Sequence, residues 1–222
     1  MSETTNAAPA ARTARTLVGR TVAKRTGRLQ HGLLDGSAAQ QAWASSTLAQ
    51  LRHGLAAEPG TVPGIWEITA VAPTRGEPLG DEPTVDERAA HTALTLFGVH
   101  QQSRSQGMHR EGRGLGSAVR TLATAGNEVA VRRRFDAVAS AQGLNEVAHH
   151  LRGLITQLRA ASIPLDYGLL TDDLVGLQHP EGARRVRRRW ARDYYWVDTQ
   201  SRADVPSTSI PAEQSAHESK ES

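Results

Sequence analysis

Arginine is the residue type in this chain with the most chemistry to offer. From Arg184 to Asp193, six arginines (Arg184, Arg185, Arg187, Arg188, Arg189 and Arg192) share ten positions with one acid. A guanidinium stays charged at any physiological pH, and its planar fork of N–H donors matches phosphate better than the point charge of lysine does. A second run, Arg132-Arg133-Arg134, lies upstream, and Arg52 and Arg152 stand singly beside apolar stripes. The chain uses 24 Arg against 2 Lys. A GC-rich genome produces the same bias, so the preference carries meaning only where arginines cluster.

Other chemistry is excluded piece by piece. With no cysteine there is no disulfide and no thiolate. Gly112-Arg113-Gly114-Leu115-Gly116 imitates a dinucleotide loop, but no strand precedes it and the third glycine is misplaced. Glu146-Val147-Ala148-His149 has the Glu-x-x-His form of di-iron bundles, which need two such elements and two further glutamates. His149 and His150, and likewise Asp172 and Asp173, are neighbours on a helix and diverge by about 100°. The aspartates therefore read as partners for arginines. No nucleophile elbow and no His-x-x-x-His occur, so neither catalysis, a metal, a cofactor nor a small-molecule substrate is expected.

The elements that position the arginines are helices. Ala, Leu, Arg and Gln dominate, and β-branched alternation is almost absent. In the arginine stretch, Val186, Trp190, Tyr194 and Val197 fall within a sector of roughly 80°, a narrow apolar stripe with arginines around the remaining circumference. Arg184, Arg185, Arg187 and Arg188 are expected to project away from it, and Arg189 to pair with Asp193 four residues on. Ahead of this helix, a basic amphipathic helix is expected over Arg12–Leu34. Its apolar face is thin and lacks aromatics, so it packs on a neighbour rather than on a membrane. A second helix is capped by Asp35 or Ser37. A third opens on the capping box Thr84-Val85-Asp86-Glu87 and buries Ala89, Ala93, Leu96, Phe97 and His100. Asn127 caps the helix of the Arg132 run, Leu144 to Leu158 repeat at three and four, and Asp166 caps a further helix before the arginine helix.

The segment Ala56–Pro83, with five Pro and four Gly, forbids a long helix. Within it, Ile65–Val71 reads as a short extended piece and Trp66 as an anchor in the core. The loop from Arg104 to Gly114 reads as polar and mobile. The expected organisation is all-α: a disordered segment 1–12, a helical bundle over 13–110, a second over 111–197 ending in the arginine helix, and a disordered acidic tail over 198–222. Asp198–Ser222 holds five acids and two bases, so of the formal charge of +3 the remainder carries about +6. A basic body points to polyanions. No secretory segment follows Met1 and no apolar run reaches membrane-spanning length, so a cytoplasmic location is expected.

These residues resemble the CasB family, the small subunit of the type I-E CRISPR surveillance complex Cascade. The resemblance lies in Leu48-Ala49-Gln50-Leu51-Arg52-His53-Gly54 with Pro63 and Trp66, the helix around Leu94–His100, and Leu115–Leu122. It continues through Arg132-Arg133-Arg134-Phe135, His150-Leu151-Arg152-Gly153-Leu154, Ile163–Tyr167 and Arg184–Tyr194, in order. It implies two helical bundles without catalytic activity, two copies arranged head to tail, and contact with guide RNA, with both strands of an opened DNA target, and with other Cascade subunits. It implies phosphate contacts from Arg52, Arg132, Arg133, Arg152, Arg184 and Arg185, and from Arg187; Arg188 joins them from its place on the arginine helix. His53 and Gly153 stand where relatives carry further arginines. Two other classes fit a basic helical chain: a helix-turn-helix regulator, which would need side chains aimed at base edges and dimeric half-sites, and a scaffold whose arginines meet acidic proteins.

Overall fold

A computed structural model describes residues 16–72, 80–125 and 127–195. The expected disorder of residues 1–12 and 198–222, and the place of Val197 on the last helix's stripe, lie outside the described residues. Within them the fold is all-α. The helices are α1 (Leu17–Asp35), α2 (Ala38–His53), α3 (Trp66–Thr69), α4 (Val85–Gln101), α5 (Leu115–Thr124), α6 (Glu128–Ser140), α7 (Leu144–Ala160), α8 (Tyr167–Leu177) and α9 (Pro180–Tyr195). No described helix is long and apolar enough to cross a membrane.

Short polar side chains start the helices by accepting the orphan N–H groups of the first turn. Ser37 with Gln40, and Thr84 with Glu87, form full capping boxes. Asn127 accepts from the backbone of Ala130, and Asp166 from Gly168 and Leu169. Thr16 opens α1, later than the expected start at Arg12.

α4 is the central helix, packed by α1, α2, α7 and α8. One buried face was expected; instead burial runs round its circumference, taking in His91, Thr95 and Gln101 as well as Leu94, Leu96 and Phe97. Its small residues allow this close approach: a Cβ on Gly98 would stand 3.0 Å from Leu51 Cβ and 3.2 Å from Leu48 O on α2. Thr95 is satisfied locally, its Oγ1 donating to His91 O at 2.8 Å.

α9 packs on α5 and α8, and its rings reach α6. Trp190 is 1% exposed and Tyr194 3%, and Phe135 of α6 stacks on Tyr194 at 5.3 Å between centroids.

Two expectations in the connections are overturned. The segment from Pro63 is not extended: Pro63–Ile65 forms a 3-10 turn that leads into α3, since Pro suits a first helical position and no neighbouring strand offers a ladder. Ile65 and Ile68 are buried there, whereas Trp66 is 52% exposed, its indole N–H donating to Gly60 O at 2.7 Å. The Arg104–Gly114 loop is not loose. Met108 is buried, Gln30 Oε1 accepts from His109 N at 2.8 Å, and Gln101 Oε1 accepts from Met108 N at 2.9 Å. The Asp166 carboxylate accepts from Gly112 N at 2.7 Å, and Leu165 N donates to Met108 O at 3.0 Å.

Candidate nucleic-acid interface

The arginine-dense helix divides its cations between two tasks. Arg184, Arg185, Arg188 and Arg192 lie exposed on α9. Arg184 pairs with Glu181 at 3.3 Å, both side chains well exposed, a contact worth little in water. The guanidinium groups of Arg185 and Arg188 form no hydrogen bond or ion pair among the described residues. Arg187 departs from expectation: it is half-buried, and its Nη2 donates to Ala141 O, just past α6, at 2.9 Å. Arg189 is bound, but not to Asp193. Its partner is the buried Asp173 of α8, which also accepts from Trp190 Nε1 at 2.6 Å. A partner from another helix wins because the full burial of Asp173 demands compensation that the half-buried i,i+4 acid needs less.

On α6, Arg132, Arg133 and Arg134 are all exposed. Arg132 Nε grips Asp136 at 3.0 Å, and its guanidinium lies 4.9 Å from the Tyr195 ring and 5.8 Å from the Tyr194 ring. Arg134 reaches only its own helix, at Ala130 O, 3.5 Å away. Arg133 is free of partners among the described residues. α5 packs on both α6 and α9, and side-chain contacts of Arg187 with Ala141 at one end and of Arg132 with Tyr195 at the other make α6 and α9 antiparallel. The two clusters therefore sit at opposite ends of the pair, roughly 15 Å apart at a rise of 1.5 Å per residue.

Arg52 and Arg152 occupy another face. Arg52 is half-buried in the last turn of α2, and its pKa is lowered by burial and then by the charge of Arg159. Arg152 is exposed on α7 beside a cleft that Arg88 also lines. Arg159 and Arg88 were absent from the expected set. Arg159 follows Arg152 by seven residues on one helix face, a spacing that could have revealed it; Arg88 has no such signal. His149 and His150 meet edge-on, and His150 lies 3.8 Å from Glu146. Among the described residues, no group of three or more acidic or histidine side chains is placed to hold a metal ion.

The arrangement is a set of rigidly held, outward cations with few exposed aromatics. It suits phosphate contact better than base stacking or base-edge reading.

The profile of the CRISPR-associated protein Cse2 family matches residues 47–195. The CRISPR-associated protein Cse2 of Thermus thermophilus is 30% identical over 156 residues, which are 70% of this chain and 82% of that protein. The crystal structure of CasB from Thermobifida fusca superposes with a TM-score of 0.68 at 38% identity, covering 82% of this chain and 99% of that one. A chain of a CRISPR RNA-guided surveillance complex shares the fold with a TM-score of 0.60 at 21% identity, over 84% of this chain and 98% of its own length.

Proposed function

Since the chain belongs to the Cse2 (CasB) family of CRISPR-associated proteins, we propose that it is a non-catalytic small subunit of a type I-E Cascade complex in the cytoplasm. It assembles there with the other subunits and a second copy of itself, and it clamps the backbones of guide RNA and of the target and displaced DNA strands. The fold shared with a chain of an RNA-guided surveillance complex supports the assembly. The observation that carries the nucleic-acid part is that Arg133, Arg152, Arg185 and Arg188 stand on well-packed helices with guanidinium groups unpartnered among the described residues. Arg52 and Arg184 complete the contact set, while Arg132 and Arg187 are partly committed to Asp136 and Ala141 O. R-loop formation is close to energetic balance, so a few backbone contacts displace it.

The test is binding of mixed-sequence single strands and duplexes across a salt series, with co-purification of guide RNA and partner subunits. Affinity should fall with salt by about 0.7 to 0.9 log units per log unit for each phosphate held, with little dependence on sequence. A flat salt response, or a strong preference for one sequence, overturns the proposal.

A further inference from the structure

A cleft of about 360 Å³ lies where the turn at residues 59–61, α3 and the start of α4 meet. The side-chain donors on its walls are spent inside the protein. Trp66 Nε1 donates to Gly60 O at 2.7 Å, Thr61 Oγ1 to Glu58 O at 2.7 Å, and Thr69 Oγ1 to Ile65 O at 2.8 Å. His91, 4% exposed, also lines the cleft. Its Nε2 lies 2.9 Å from Gly54 O, which only accepts, so Nε2 carries the hydrogen and the buried Nδ1 is a lone pair with no donor. Burial lowers the pKa of His91 and keeps the ring neutral, partly offset by the Gly54 and Ala57 carbonyls.

The side-chain polar atoms left over are acceptors, and three of the groups are acids. Glu87 spends Oε2 on its capping box, accepting from Thr84 N at 2.7 Å and Thr84 Oγ1 at 2.9 Å, and keeps Oε1 unpartnered among the described residues. Asp81 and Glu82 stand ahead of that cap, exposed, and their carboxylates form no hydrogen bond or ion pair among the described residues. No described Arg or Lys lines the cleft, although bases outnumber acids in the chain by 26 to 23. Such a lining calls for a ligand that is positive and only donates. Trp66 adds an aromatic wall: the ring is half-exposed, and its bond to Gly60 O holds it in place for a planar cation to stack on. A guanidinium meets both demands, with five donors, no acceptor and a flat face.

We propose that this cleft receives an arginine side chain from a protein subunit other than a copy of this chain, its guanidinium stacked on Trp66 and held by Asp81, Glu82 and Glu87. The inference rests on the proposed function for the presence of partner subunits. A free cation fits less well, because Gly60, Thr61, Ala70 and Gly80 on the rim are exposed and would leave it hydrated. An arginine arrives with its own protein surface, which closes the rim and excludes water. The exposed arginines of a second copy are the phosphate contacts of the proposed function, and placing them here would set docking against nucleic-acid binding.

The experiment uses the full-length chain and the complex reconstituted with guide RNA and the other subunits. Ala70, exposed on the rim, is replaced by photoreactive p-benzoylphenylalanine, and crosslinks should map beside an arginine of another subunit. Affinity of the labelled chain for the complex lacking it should fall about tenfold in Trp66→Ala, in Asp81→Asn with Glu82→Gln, and on replacing the crosslinked arginine by Ala. Trp66→Ala combined with that arginine variant should lose little more than either alone. The Asp81 and Glu82 variant breaks no described contact, so it carries the test even if Trp66→Ala loosens the turn at Gly60. It should keep the wild-type melt and the wild-type salt slope for oligonucleotides. Crosslinks to a second copy of this chain, or to a segment without arginine, overturn the assignment. So does agmatine, a free guanidinium cation, if it saturates the Trp66 indole resonance at micromolar concentration. If the wild type joins the complex and the variants join it as tightly, the inference is overturned and the proposed function stands. If the wild type joins no complex, both fall.

Discussion

Replacing Trp190 by Ala, and separately replacing Arg184, Arg185 and Arg188 together by Ala, asks whether the last helix divides its labour as the structure describes. Trp190 is buried against Phe135, and its indole N–H is given to the buried carboxylate of Asp173. Truncation leaves a cavity, costing about 3–5 kcal/mol, and removes a donor from a buried acid, for about 1–3 kcal/mol more before coupling between the two. A total near 4–6 kcal/mol lowers the melting temperature by roughly 10–20 °C for a chain of this size. The three arginines are exposed, and the only ion pair they form among the described residues is the surface contact between Arg184 and Glu181. Their removal also relieves like-charge repulsion along the helix, so stability should stay within about 1 kcal/mol. Thermal and urea melts followed by circular dichroism, with salt-dependent binding measured on the same samples, compare the two. The arginine variant should keep its melt and lose about 2 from the salt slope. Trp190→Phe, which keeps a ring but no N–H, should fall between the wild type and the Ala variant. An arginine variant that melts as early as Trp190→Ala would mean these arginines hold the fold, and the reasoning would fail.

Single and combined Ala variants at Arg133 and Arg185, assayed as R-loop stability in reconstituted complexes, should show losses that add within about 0.5 kcal/mol, because the clusters lie at opposite ends of the α6–α9 pair. A coupling beyond about 1 kcal/mol would mean one shared phosphate site. His100 is pushed from its ordinary 6.5 to about 3, mainly by burial, so the unfolded chain binds its proton first as pH falls. Stability should therefore drop by up to about 1.4 kcal/mol per pH unit below 6.5, levelling off only near pH 3. Urea melts at pH 7 and pH 5 check the sign, and His100→Gln should flatten the part of the slope that His100 supplies; an identical slope in the variant would refute the assignment. Gly153 is exposed in α7 and a Cβ there would meet nothing within 4 Å. Gly153→Ala should therefore raise stability by roughly 0.5–1 kcal/mol in a thermal melt.

What could be read from the sequence was local. Ser37, Thr84, Asn127 and Asp166 announce helix starts because each acts on N–H groups two or three residues away. The stripes through Val186, Trp190 and Tyr194, and from Val147 to Leu158, are periodic and survive in the structure. What was illegible depends on distant partners. The Arg104–Gly114 loop is held by Gln30 and Asp166, far along the chain in either direction. Arg189 meets Asp173 because α8 turns back onto α9, which the i,i+4 rule does not contain. Burial round most of the circumference of α4 left little apolar contrast to detect, since Ala, Thr and His serve as core there. The arginine face was visible as a cluster, but its split into exposed and committed members required the neighbouring helices.

The docking of α1 against α8 sets an order of events during synthesis. Val18 and Val22 are buried, Gly19 lies against Gly168, and Thr16 Oγ1 donates to Asp172, so α1 completes its packing only when a helix about 140 residues later has been made. At 5–20 residues per second, the nascent amino-terminal helices wait roughly 7–30 s with their valines uncovered. Over that interval the cationic side chains of α1, Arg20, Lys24 and Arg28 exposed among them, are what keep it soluble beside the ribosome. Any truncation that stops before α8 turns that pause into a permanent state, and such fragments should accumulate as aggregates or as chaperone clients.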